Sequence, residues 1–194
     1  MPRRYWLLKS DPETFGWPDL LAAPGRTTVW DGVRNYQARN SLRDDARVGD
    51  GVLFYHSQRE RAVVGTAEIT RAGYPDPTQF DRKHPGFDPE SSRDAPRWFA
   101  IEIRAERALG RPVTLDDLRA APALADFALL KRGNRLSVMP VTRAQYDAVV
   151  RLGRIESRAS TRAAQMKSFS DSPPTECVPN RTVTREYPTA RSGW

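Results

Sequence analysis

The segment Val29-Trp30-Asp31-Gly32-Val33-Arg34-Asn35-Tyr36-Gln37-Ala38-Arg39-Asn40 crowds an indole, hydrogen-bonding side chains and two arginines around a glycine turn. A flat heteroaromatic ligand needs that combination: a rigid aromatic wall for its π-face, and amide, hydroxyl or backbone partners for its edge. A nucleobase is the obvious candidate, and holding one requires no nucleophile. The same residues also fit a core indole, a turn and a solvated helix face, so the segment alone leaves both readings open.

Chemistry of other kinds finds little support. His56 adjoins Ser57, but neighbours on a strand point to opposite faces and cannot share a proton. His84 lies near Asp81, Asp88 and Glu90 in a proline-rich stretch, where one imidazole among carboxylates reads as polar surface rather than a metal site. The chain has no Gly-rich dinucleotide fingerprint, no phosphate loop and no Cys-x-x-Cys pair. We therefore expect no catalytic residues, no metal and no cofactor. If turnover occurred on a captured base, Asp31 or His56 would have to serve as its acid or base.

Composition points to an anionic partner. The 194 residues carry a formal charge of +7, with 27 Arg among the 31 basic residues, and a basic balance of this kind suits phosphate backbones. The final 41 residues account for +3 of it, so the rest is basic in its own right. Cys177 is the single cysteine, which excludes a disulfide framework. The apolar residues after Met1 are interrupted by Lys9, too soon for a signal peptide, and no apolar run approaches the ~20 residues that span a bilayer. A cytoplasmic protein without membrane contact is expected, nucleoid-associated in a prokaryote or nuclear in a eukaryote.

The elements that must position these residues are mixed. Tyr5–Lys9 reads as a buried strand, closed by a helical turn at Ser10-Asp11-Pro12-Glu13. Ala38, Leu42 and Ala46 give residues 36–46 one small apolar helical face. Strands are expected over 52–57 and 62–70, the second with Gly65 at its middle, which marks a bulge or a close approach. Residues 73–97, with five prolines, read as a long surface loop, and Phe99–Glu106 alternates as a half-buried strand. Thr114-Leu115-Asp116-Asp117 and Thr142-Arg143-Ala144-Gln145 are capping boxes, the second opening a helix to about Leu152 with Gly153 as its stop. Between them Leu136–Val141 reads as a strand whose Pro140 suits an edge or terminal position. This gives one α+β domain over residues 1–153, followed by a basic Ser/Thr/Pro-rich tail over 154–194 expected to be disordered.

Five blocks in order, Tyr5–Pro12, Trp30–Asn40, Phe54–Ser57, Val64-Gly65 and Arg135–Val141, closely resemble the EVE domain family. The resemblance implies a PUA-like fold, a mixed and partly open β-barrel with surrounding helices, and kinship with YTH domains, whose aromatic cage holds a methylated adenine. It implies a non-enzymatic reader of modified bases, such as methylated or oxidised cytosine, in DNA ahead of RNA, serving restriction or repair proteins. Trp30 would be the stacking wall, and Ser10 and Asn35 would bond the base edge. Trp6, Lys9, Gly32 and Val33 would flank them, while Tyr55, Ser57, Leu136, Ser137 and Met139 would complete the rim. We expect Arg34, Arg39 and Arg132 to contact phosphates, and Trp30→Ala to remove selective binding without unfolding the protein. A general RNA-binding PUA-like module and an enzyme acting on the captured base are the alternatives.

Overall fold

Side chains along the first strand alternate between two separate cores, and that alternation organises the molecule. The computed structural model describes residues 2–154. Strand β1 (Tyr5–Ser10) sends Trp6 and Leu8 to one face and Leu7 to the other; β3 (Gly51–His56) does the same with Val52 and Phe54 against Leu53 and Tyr55. Both strands are buried on both faces, which is why they read as nearly continuous apolar runs. They pair in parallel, Leu7 opposite Leu53. The remaining pairs of the six-stranded sheet are antiparallel, with β4 (Ala62–Pro75), β5 (Phe99–Thr114), β2 (Thr27–Trp30) and β6 (Val138–Val141) in the order β2-β5-β4-β3-β1-β6.

The sheet curls without closing. Trp30 on β2 and Phe54 on β3 are three strand spacings apart, roughly 14 Å in a flat sheet, yet their ring centroids meet edge to face at 5.6 Å. The curl encloses Trp6, Leu8, Trp17, Trp30, Phe54 and Ile103. Gly65 permits this: a Cβ there would lie 2.4 Å from the Trp17 ring, and the strand register shifts at the same point. The bulge expected at a mid-strand glycine is present, while the group that comes close is the Trp17 side chain rather than a ligand or another backbone. The outer core, with Leu53, Phe127, Met139 and Val149, is covered by α3 (Leu115–Ala120) and α4 (Arg143–Leu152).

The capping boxes form as the sequence requires. Thr114 Oγ1 accepts from Asp117 N at 3.2 Å, while Asp117 Oδ2 accepts from Thr114 N at 2.9 Å; Thr142 and Gln145 repeat the exchange. Pro140 is exposed on the edge strand β6.

Several boundaries differ from the sequence reading. The turn after Ser10 does not start a helix; α1 (Trp17–Ala22) begins later, where Asp19 bonds back to Gly16 N. Residues 36–46 bury Ala38, Leu42 and Ala46 as expected, but α2 (Tyr36–Asn40) widens into a looser turn over Ser41–Asp45. Strands β4 and β5 run longer than their apolar alternation. The four-residue β2 gave no periodic signal at all.

The proline-rich stretch is only partly surface loop. Asp76 and Gln79 are fully buried, and the Gln79 amide donates to Asp76 O and Trp98 O while accepting from Arg97 N and Trp98 N. Polar anchoring replaces apolar packing there, which hydrophobic patterning cannot detect. No helix among the described residues is long and apolar enough to cross a membrane. Beyond Arg154, the expected disordered tail lies outside the described residues.

Candidate nucleic-acid interface

A cleft of about 550 Å³ opens where the curled sheet fails to close, between the edge strand β2 and the end of β1. Thr28, Val29 and Trp30 line one side, Lys9 and Ser10 the other, with Ser137 beside them. The turn after β1 completes the wall with Asp11, Thr14 and Phe15; the turn after β2 adds Asp31, Gly32 and Val33.

Backbone hydrogen bonds fix this frame. Lys9 N donates to Ser137 O at 2.8 Å, and Ser10 O accepts from both Ser57 N (2.8 Å) and Ser57 Oγ (2.9 Å). Asp11 O accepts from Thr14 N and Phe15 N, and Ser10 Oγ donates to Phe15 O. On the opposite wall Gly32 has φ +69°, a left-handed conformation natural to glycine. Its N–H donates to Asp76 Oδ2 at 3.0 Å. Asp76 also accepts from Arg34 Nη1 at 2.7 Å and from Thr78 N and Oγ1 at 2.8 and 2.6 Å. Burial opposes ionisation of Asp76, but the bonds from Arg34, Thr78 and Gly32 outweigh it and hold the carboxyl below its usual range.

Three charged side chains, Lys9, Asp11 and Asp31, line the cleft with no ion-pair partner among the described residues. Burial pushes the Lys9 ammonium pKa down. The Asp31 carboxyl is pushed up by burial and then by the charge of Asp76, against the opposing pull of His84 and Arg34.

Of the residues expected at the site, Lys9, Ser10, Trp30, Gly32, Val33 and Ser137 come together. Trp30 is only 8% exposed, so its indole is a wall embedded in the inner core rather than a free slab. The others lie elsewhere. Trp6 is buried, donates from Nε1 to Asp50 Oδ2 at 2.9 Å, and borders a second hollow of about 420 Å³ among Arg3, Arg4 and Arg143. Tyr55 and Met139 belong to the outer core, on the face opposite Phe54, and not to the rim of the cleft. Asn35 is exposed and caps α2 through Ala38 N. Ser57 braces Ser10 from behind, and Leu136 packs against both cores.

The arginine expectations also need correction. Arg34 is occupied by Asp76, Thr78 and Gly86 O, with its guanidinium 5.4 Å from the Trp98 ring centroid. Arg39 donates to Arg97 O at 2.7 Å and lies over Tyr36. Both arginines brace the proline-rich segment. Arg132, by contrast, is exposed, as are Lys131 and Arg135, in the loop leading to Ser137.

The imidazole of His56 is structural. Its Nε2 accepts from Trp17 N at 2.9 Å, leaving Nδ1 to donate to Glu60, while Ser57 bonds in another direction. His84 Nδ1 accepts from Gly86 N. Among the described residues no three His, Cys, Asp or Glu side chains are grouped to hold a metal ion.

The family model for the EVE domain matches residues 4–152. The chain belongs to the EVE domain family. This EVE domain is 38% identical to rat thymocyte nuclear protein 1 over 170 residues, 78% of this chain and 74% of that protein. Against the zebrafish protein the identity is 39% over 165 residues, 76% and 71% of the two chains. Among solved structures it resembles a Pseudomonas putida protein (TM-score 0.73, 40% identity, covering 77% of this chain and 99% of that one). It also resembles the human THYN1 protein in complex with 5-methylcytosine-containing DNA (TM-score 0.74, 37% identity, 79% and 99%). The PUA-like architecture of this EVE domain, an unclosed mixed sheet with helices around it, is that of these relatives.

Proposed function

We propose that this EVE domain binds DNA carrying a modified base and holds that base, swung out of its stack, in the cleft between β1 and β2. The observation that carries the reading is the cleft itself: one aromatic wall, hydroxyls and opposite charges around it, in a fold whose human relative was solved with 5-methylcytosine-containing DNA. Extrusion from a duplex costs a few kcal/mol, and stacking on an aromatic wall returns about 1–3 kcal/mol. Net affinity from the base alone is therefore small, so backbone contacts must supply the rest.

Lys131, Arg132 and Arg135 are the candidates for those contacts, because their loop adjoins the cleft through Ser137. The domain acts in this reading by capture rather than turnover, marking DNA for restriction or repair partners. Methylated and unmodified cytosine differ by one small group, worth about 1–3 kcal/mol, so selectivity is moderate.

Titrations with oligonucleotides identical except for 5-methylcytosine or cytosine, over a salt series, test this. Arg132→Gln should weaken binding to both equally and reduce the slope of log K against log salt by about one. The preference for 5-methylcytosine should survive. Equal affinity of the unaltered protein for both oligonucleotides would refute reading of the modification.

A further inference from the structure

We propose that Asp31 and Lys9 read the edge of the captured base, accepting from an exocyclic amine and donating to the adjacent ring nitrogen, so that the cleft selects cytosine-type bases over thymine. The inference rests on the base-binding reading above and extends it to a specific pair of side chains.

Both residues line the cleft from opposite walls, Lys9 at the end of β1 and Asp31 just after β2. Several other polar groups nearby already have partners within the protein. Ser10 Oγ donates to Phe15 O, Asp11 Oδ1 accepts from Glu13 N, and Asp76 is saturated by Gly32, Arg34 and Thr78. Asp31 and Lys9 pair neither with each other nor with another ionised side chain among the described residues. An acceptor-only group on one wall facing a donor-only group on the other is complementary to an edge carrying a donor beside an acceptor.

Cytosine presents that edge, with its N4 amine beside the unprotonated N3. Thymine inverts it, placing O4 where the amine would be and N3–H where the acceptor would be. Opposed to thymine, the carboxylate meets a carbonyl oxygen and the ammonium meets an N–H, so both contacts become repulsive. 5-Methylcytosine and thymine carry the same methyl group, so stacking and shape barely distinguish them and the burden falls on these two side chains. The Gly32–Asp76 bond holds the backbone of the turn that carries Asp31. Because the Asp31 carboxyl pKa is raised by its burial, acidification should convert it to a donor that thymine O4 accepts, and selectivity should narrow.

The test uses the full chain and single-stranded oligonucleotides that differ only in one base, 5-methylcytosine, cytosine or thymine, which removes any extrusion cost. The unaltered protein should bind the 5-methylcytosine strand about tenfold to a hundredfold tighter than the thymine strand, the range of a charge-assisted hydrogen bond. Asp31→Asn, whose amide can donate as well as accept, should bring that ratio to within about threefold while melting with the unaltered protein. Lys9→Met should lower the same ratio by removing the other contact. An unaltered 5-methylcytosine-to-thymine ratio in Asp31→Asn, or no discrimination in the starting protein, would overturn the proposal. The 5-methylcytosine-to-cytosine ratio reports separately on modification reading, so the two can fail independently.

Discussion

Asp76→Ala should destabilise the domain by about 3 kcal/mol in urea denaturation, the lower end of what removing one partner of a buried ion pair costs. Three groups lose their acceptor at once: the Arg34 guanidinium, the Gly32 N–H and Thr78. The surviving Arg34 charge is about a quarter exposed, which keeps the loss from being larger. The same carboxylate makes stability fall in acid. Its pKa is lowered in the folded protein, so its contribution is complete above the unfolded value near 4 and is lost as the pH falls toward the depressed folded value. Asp117, held at about 2 mainly by Arg111, adds a similar but more exposed contribution. In Asp76→Asn the acid-dependent loss should be smaller than in the unaltered protein. An Asp76→Ala variant as stable as the unaltered chain would show that the proline-rich segment is not anchored through this residue.

Trp30→Ala should cost about 3–5 kcal/mol, because it empties a large ring from the inner core. The indole is nearly buried and packs edge-on against Phe54. Binding will be lost in this variant too, but an unfolding protein binds nothing, so the loss is uninformative about stacking. That differs from the expectation raised by the sequence, in which Trp30 could be removed without unfolding. The two roles of the indole, core packing and cleft wall, are physically inseparable.

This double role also explains what was legible beforehand. The blocks around Trp6, Trp30, Phe54 and Val138 gave the family and its fold, because each joins an apolar run to a particular turn. Cap boxes at Thr114 and Thr142 were readable because their chemistry is local. The cleft was half legible. Lys9, Ser10, Trp30 and Ser137 lie in the recognisable blocks, whereas Thr28 and Val29 belong to a strand too short to show a period, and Phe15 and Thr14 to a turn mistaken for a helix start. The roles of Arg34 and Arg39 were hidden for a different reason. An arginine on a helix or turn looks like a free cation until its partner is known, and the partners, Asp76 and the Arg97 carbonyl, are 42 and 58 residues away in sequence.

Filling the cleft without disturbing the core is the direct way to ask whether the base sits there. Thr28 is half-buried on the edge strand and lines the cleft outside the Trp30–Phe54 contact. Thr28→Trp places an indole in the space proposed for the base, and aromatic residues suit strands, so the melting temperature should move little. The decisive measurement is the affinity of this variant for a 5-methylcytosine oligonucleotide beside that of the unaltered protein. We predict at least a roughly hundredfold loss, reflecting removal of both stacking and edge contacts. A folded Thr28→Trp protein that kept its affinity and its preference for 5-methylcytosine would contradict the account, placing the base elsewhere on the molecule.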